Sequence, residues 1–413
     1  MGTAAARCPS TGLPTLALAL SLAVAAACHA TTPVPGTPAT PASLASPASP
    51  APVASPALRG PFDVEARRAL IGAAMPAPRP SPPVAPPRDV VGVSFYVDAS
   101  KSIADPTLKA QNVAALAPLR RFVGSVTELA GGWVRSRPAD PRYAHLAGQA
   151  LADWAAAGAL LGAVNQQGAY EREWTLGSLA LAYLEIREAP GWEPRQRTAI
   201  ERWLCAIASA VRPPYERMDR TSSSNNHAYW TGLAVGAAGA ACQDRGLFAW
   251  GIARARMGIA QIDAQGLLPL ELERGRLALH YHVFALAPLV MLAELAAANG
   301  LSLYDERDHA LRRLAERTID GLADATTFQR LTGLAQEQIT QPPRKSDLAW
   351  AEPYFARFPD TRVAAWIAAA RPLVDVRLGG DLTAAFGVVD LGGFRPSGTS
   401  TRPGTAALAW RAD

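Results

Sequence analysis

The 413-residue chain predicts an all-α protein of α/α toroid architecture, and three observations carry that expectation. From Asp105 onward, Leu, Ala, Val and Trp recur at intervals of three and four, the spacing of a single helix face. About ten such stretches are separated by short polar breaks containing Pro or Gly, which suits antiparallel helical hairpins. The stretches are Ala-rich and fall into consecutive pairs, a pattern that fits a ring of hairpins better than a four-helix bundle. No exact internal repeat is present, which argues against a regular solenoid.

The front of the chain is a different material. Of its 35 prolines, 18 fall before residue 89. Residues 13–30 form a modest apolar stretch ending in small residues, preceded only by Arg7, and read as a secretory signal rather than a membrane span. Ala25-Ala26-Ala27-Cys28 admits lipid attachment at Cys28, while ordinary cleavage between Ala27 and Ala30 is the favoured alternative; either implies a periplasmic or secreted protein. Residues 31–88 are expected to be a Pro/Ala/Ser-rich disordered tether, because almost no large side chain is available to offset ordering entropy. A short helix from Val64 interrupts it, and the toroid domain is expected over 89–413.

Helices are expected over 107–130, 141–162, 170–187, 195–211, 227–241, 246–262, 275–298 and 305–323, with shorter ones near 346–357 and 361–370. Several follow N-cap and proline signals, as at Asp105-Pro106, Asp140-Pro141 and the Ser/Asn run 222–226. The Gly-rich tail after Val374 reads as extended or irregular. Cys205 and Cys242 fall in helices, and a bridge and two buried thiols are equally compatible with the sequence.

A formal charge of +5 without Lys/Arg runs excludes a nucleic-acid partner and leaves a basic cleft for an anionic polymer open. No CxxC or HExxH motif occurs. His280 and His282 are two apart and so point to different sides of a helix, and neither a metal nor an organic cofactor is expected.

Four segments concentrate groups that a helix core does not need. Asn225-Asn226-His227-Ala228-Tyr229-Trp230 puts amides and an imidazole at a helix start, where backbone donors and the positive dipole end would meet a carboxylate. Arg274 and Tyr281 are two helical turns apart, and a guanidinium beside a phenol favours the phenolate. Gln167, Tyr170 and Trp174, at helical spacing, form a strip suited to a sugar. The polar segment Ser94–Ser102, with Lys101, precedes the first long helix as a lid or entry loop.

Together these residues resemble the mannuronate-specific alginate lyases, polysaccharide lyase family 5. The likeness rests on NNHAYW at 225–230, ELERGRLALHYHVFALAPLVMLAELAAANG at 271–300 and EWTLGSLALAYL at 173–184. It implies an incomplete toroid with a deep cleft, a monomer acting on an anionic polyuronate, and β-elimination to 4,5-unsaturated ends. The implied catalytic set is Asn226, His227, Arg274 and Tyr281. Gln167, Tyr170, Trp174, Lys101, Tyr229 and Trp230 are implied to bind the polymer.

Two assignments of base and acid stay open: Tyr281 serving as both, or His227 as base with Tyr281 as acid. Alternatives in function are a broader polyuronate lyase acting also on polyglucuronate or hyaluronan, a hydrolase of unsaturated uronides using Asp263, Glu271 or Glu273, and a noncatalytic polysaccharide-binding protein of an export complex.

Overall fold

The computed structural model describes residues 56–80, 83–98, 103–217 and 221–391, all within a unit that begins at Pro56. Cys28 and Lys101 lie outside the described residues, as do residues 1–55.

The helices are α1 (Val64–Ile71), α2 (Pro106–Arg135), α3 (Pro141–Ala156), α4 (Gln166–Ile186), α5 (Pro194–Val211), α6 (Asn226–Ala241), α7 (Arg245–Gln261), α8 (Pro269–Leu272), α9 (Ala278–Ala297), α10 (Glu306–Ala323), α11 (Thr326–Thr332), α12 (Ala351–Arg357), α13 (Thr361–Ala370) and α14 (Leu382–Phe386). Asp side chains cap the starts of α2, α3 and α7, accepting from backbone N–H groups of the first turn. Pro stands at the first position of α2, α3 and α5.

The long helices alternate between two rings. α2, α4, α6 and α9 pack on one another in that order, and α3, α5, α7 and α10 each back onto them from outside. α4, α6 and α9 are buried nearly all round, as central helices must be. α9 is apolar enough to suit a membrane by composition, but here it is core. α12 and α14 carry contacts from α9 back toward α2. The ring of hairpins is thus an incomplete α/α toroid, with a cleft where the inner helices begin.

Cys205 of α5 and Cys242, the C-cap of α6, form a disulfide. It closes a loop with a sequence separation of 37. Replacing both by Ser is expected to lower stability by about 3–4 kcal/mol, read from denaturant unfolding of the oxidised wild type and the variant.

The N-terminal boundary differs from expectation. Residues 56–80 and 83–88 pack onto the toroid instead of tethering it. Leu58 is buried, its N–H donates to Gln243 Oε1 (2.8 Å), and Phe62 meets Phe386 with ring centroids 5.6 Å apart. Proline lacks an N–H but keeps its carbonyl, and the body uses it. Tyr143 Oη donates to Pro76 O (2.6 Å), and the Leu160 N–H to Pro87 O (2.8 Å). A few apolar anchors and free acceptors therefore dock a segment whose composition reads as disordered.

The tail is more regular than expected. Strands β1 (Val374–Asp375) and β2 (Gly380–Asp381) pair antiparallel, and Asp381 caps α14. Arg371 holds Glu352 through Nε and Nη2, both at 2.8 Å, which ties this hairpin to α12. The helix expected near 346–357 splits into a 3-10 turn, Lys345–Leu348, and α12.

Candidate active site

One cleft of about 2800 Å³ collects the ends of the inner helices, and cationic side chains outnumber carboxylates on its described wall. Gln167, Tyr170 and Trp174 of α4, His227 of α6, Arg274, and Tyr281 of α9 all line it. Three of these form a parallel set of rings. Tyr170 stacks on His227 with centroids 4.1 Å apart and planes at 22°, and Trp174 lies 6.4 Å from the imidazole at 21°. The strip expected on α4 thus extends across to α6.

His227 is backed by a carboxylate. Glu173, 1% exposed, brings Oε1 to 3.6 Å from His227 Nδ1, and among the described residues neither atom has a hydrogen-bond partner. The other oxygen of Glu173 accepts from Tyr215 Oη (2.6 Å) and Thr231 Oγ1 (2.9 Å), which fixes the carboxylate. An acceptor facing Nδ1 favours a proton there and leaves Nε2 as the reactive nitrogen.

Arg274 and Tyr281 meet, though not along one helix. A 3-10 turn, Gly275–Leu277, precedes α9, and it brings the Arg274 guanidinium 3.6 Å above the Tyr281 ring. Arg274 and Tyr96 of the entry loop are the neighbours that act on the phenol. The described flanks of that loop are tied together, with the Val97 N–H donating to Ile103 O (3.0 Å) and the Asp105 N–H to Phe95 O (2.8 Å).

Burial pushes the Tyr281 phenol well above the usual tyrosine range, and Tyr96 adds to the rise. Arg274 pulls it down, as expected from its charge, but is outweighed. The net direction is therefore opposite to the expected bias toward phenolate, and burial favours the phenol form of Tyr281.

Three expected site residues stand elsewhere. Asn226 is 0% exposed, and Glu271 holds it: the Asn226 N–H donates to Oε1 (2.8 Å) and Nδ2 to both carboxylate oxygens (3.0 and 2.9 Å). A carboxylate of the protein itself thus stands at the start of α6. Burial raises the Glu271 carboxyl against the lowering effect of these bonds. Tyr229 is buried with its hydroxyl on Gln261 Oε1 (2.5 Å), and Trp230 is 3% exposed beside Phe284. A helix buried on every side sends Tyr229 and Trp230 into its neighbours while His227 faces the cleft.

The acids considered for a hydrolase separate as well. Glu271 is buried and Asp263 caps its own turn, accepting from the Gln265 and Leu267 N–H groups (2.8 and 2.9 Å), so only Glu273 reaches the cleft. His280 faces the cleft, whereas His282 is core, with Nε2 accepting from the Leu268 N–H (3.0 Å). Burial lowers both to about 4, leaving them neutral near pH 7. Among the described residues no cluster of His, Cys, Asp and Glu is suited to a metal.

Glu173 and Tyr96 were not singled out in the sequence. Glu173 stands at the edge of the mostly apolar run 174–184, and a carboxylate carried into the core with that run needs a partner.

A sequence profile described as alginate lyase matches residues 94–328. A polysaccharide lyase of Stenotrophomonas maltophilia K279a is 41% identical over 307 residues, covering 73% of this chain and 89% of the relative. An alginate lyase of Pseudomonas fluorescens Pf-5 is 36% identical over 244 residues, 57% of this chain and 65% of the relative. Among solved structures, a tyrosine-to-phenylalanine variant of alginate lyase A1-III, complexed with tetrasaccharide, superposes with a TM-score of 0.72 at 25% identity. That match covers 80% of this chain and 96% of the other, an enzyme of Sphingomonas species A1. With the profile running through the entry loop, the inner helices and the His227, Arg274 and Tyr281 positions, this chain belongs to the alginate lyase family.

Proposed function

We propose that the protein cleaves the 1,4-linkages of a polyuronate, polymannuronate or mannuronate-rich alginate foremost, by β-elimination. The observation that carries this reading is the convergence of His227, Arg274 and Tyr281 on one cationic cleft beside a strip of aromatic rings. A uronate holds its carboxylate on C5, so removing the C5 proton sends negative charge into that carboxylate. Arg274 and His227 are the groups placed to meet it, and in a partly water-free cleft such partners lower the barrier most. Asn226 contributes indirectly, holding Glu271 at the start of α6 and so the backbone that presents His227.

In a mannuronate the C5 proton and the O4 leaving group lie on one side, so a single tyrosine can take the proton and return it. A second assignment has His227 as base and Tyr281 as acid. The raised phenol and the carboxylate behind Nδ1 favour it, since they prepare a proton donor and an imidazole with a free Nε2. Both routes end in a C4–C5 double bond conjugated with the carboxylate.

The apolar leader and the Cys205–Cys242 bridge support export to an oxidising compartment, the periplasm or beyond, with lipid on Cys28 as one form of retention.

The test is the ultraviolet absorbance of the unsaturated product. The purified protein is incubated separately with polymannuronate, polyguluronate, polyglucuronate and hyaluronan. The fastest rise is expected with polymannuronate. No rise with any of the four defeats the lyase reading, and equal rates on all four replace it with a broad polyuronate lyase.

A further inference from the structure

The turn that joins Arg274 to Tyr281 has little to hold it from within. Gly275 takes a φ of 57°, and the 3-10 turn Gly275–Leu277 runs straight into α9. Leu277, which stands at the N-cap of α9, offers no side-chain acceptor to the N–H groups of the first turn, and Arg274 makes no cap for the 3-10 turn. Arg274 and Tyr281 flank this stretch, so the 3.6 Å approach of guanidinium to ring depends on its shape.

The missing acceptor comes from 57 residues further along the chain, past the segment 94–328 that the family profile matches. α11 ends at Gly333, whose φ of 71° turns the chain back against the start of α9. There Gln336 Oε1 accepts from the Leu279 N–H (2.9 Å), the bond that an N-cap side chain would otherwise make. Gln336 Nε2 donates to Gly275 O (3.1 Å), to Leu334 O (3.0 Å) and to Thr332 Oγ1 (3.1 Å). An N–H on one side and carbonyls on the other admit a single orientation of the amide. Next to it, the Glu337 N–H donates to Arg276 O (2.8 Å), and a Cβ at Gly275 would stand 3.0 Å from Leu334 Cδ1. One carboxamide thus ties both ends of the turn while its neighbours press on the middle.

We propose that Gln336 is a positioning residue for the elimination: it caps α9 from outside the helix and so fixes Arg274 over Tyr281. Among the described residues, Gln336, Leu334 and Glu337 all stand outside the cleft lining, so Gln336 acts through the turn and not on the polymer. The inference rests on the lyase reading and adds to it a residue that no contact with substrate would reveal. Without the amide, the Leu279 N–H and Gly275 O lose their partners and the turn relaxes. A displacement of about 1 Å between reacting groups costs a rate factor of up to about a hundredfold.

The experiment is a double-mutant cycle on the full chain. Gln336→Met keeps the length of the side chain and removes both of its hydrogen-bonding ends. In the wild-type background it should lower kcat by about tenfold or more, with KM held within about threefold. In an Arg274→Lys background, where the planar guanidinium is already gone, the same substitution should lower kcat by less than about threefold. Equal factors in the two backgrounds, or full activity in Gln336→Met, overturn the proposal. The Cys205→Ser, Cys242→Ser double variant loses stability without touching the turn and should keep the wild-type kcat at a temperature where every variant is folded. If it loses kcat in step with Gln336→Met, general loosening explains both and the proposal falls. Should Gln336→Met fail to fold, Gln336→Glu, which keeps an acceptor for the helix start, enters the same cycle. Hydrogen exchange followed by mass spectrometry supplies a readout independent of turnover. Residues 275–283 should exchange faster in Gln336→Met, and unchanged protection overturns the capping role. If the wild type cleaves no polyuronate, the lyase reading fails separately, while exchange still decides whether Gln336 caps α9.

Discussion

Tyr281→Phe is expected to lower kcat by at least about a hundredfold, the scale of losing general acid–base catalysis, while KM stays within a few-fold. The substitution removes one oxygen and keeps the ring. Arg274 retains its face 3.6 Å away, and the edge contact with Phe284 persists, so neither fold nor cleft shape should change. What disappears is the hydroxyl, the group held as a proton donor by burial. Steady-state kinetics by product absorbance, with the melting temperature as a control, is sufficient. A phenylalanine variant with full activity removes Tyr281 from the proton path under either assignment.

His227→Ala should cost a similar factor of at least about a hundredfold in kcat/KM. Its partition between kcat and KM separates two roles. A fall mainly in kcat indicates that His227 moves a proton, and a rise mainly in KM that it only meets the carboxylate. Free imidazole, entering the space beside Tyr170, should restore part of the activity if proton transfer is the role. An unchanged rate in His227→Ala would exclude the residue from the chemistry.

The toroid was legible because helix periodicity and capping are local. Asp105-Pro106 and Asp140-Pro141 do begin helices, and the paired pattern does become two rings. Failures occurred where burial depends on partners distant in sequence. Nothing local distinguishes His227, which faces the cleft, from Tyr229 and Trp230, which face the core, because α6 is apolar on every side. Asn226 looked like a donor for a ligand, but its acceptor, Glu271, lies 45 residues away. Glu173 acquires its role from Tyr215, Thr231 and His227 on other elements. The docked segment from Pro56 was missed for a related reason: composition describes what a chain could bury alone, not what a preformed surface offers it.

The alternation of inner and outer helices has a further consequence. Because each inner helix is followed by an outer one, the chain returns to the same rim before starting the next, and the cleft is assembled from the length of α2, the first half of α4 and the opening turns of α6 and α9. The apolar contacts that hold the rings together lie along the bodies of those helices and in their distal turns. Chemistry and cohesion thus share the opening turns of these helices and divide by face: in α6, His227 meets the cleft while Asn226, Tyr229 and Trp230 are buried. Substitutions of the cleft-facing side chains can alter which polymer is taken with little burden on folding, and this separation makes the architecture readily diversified.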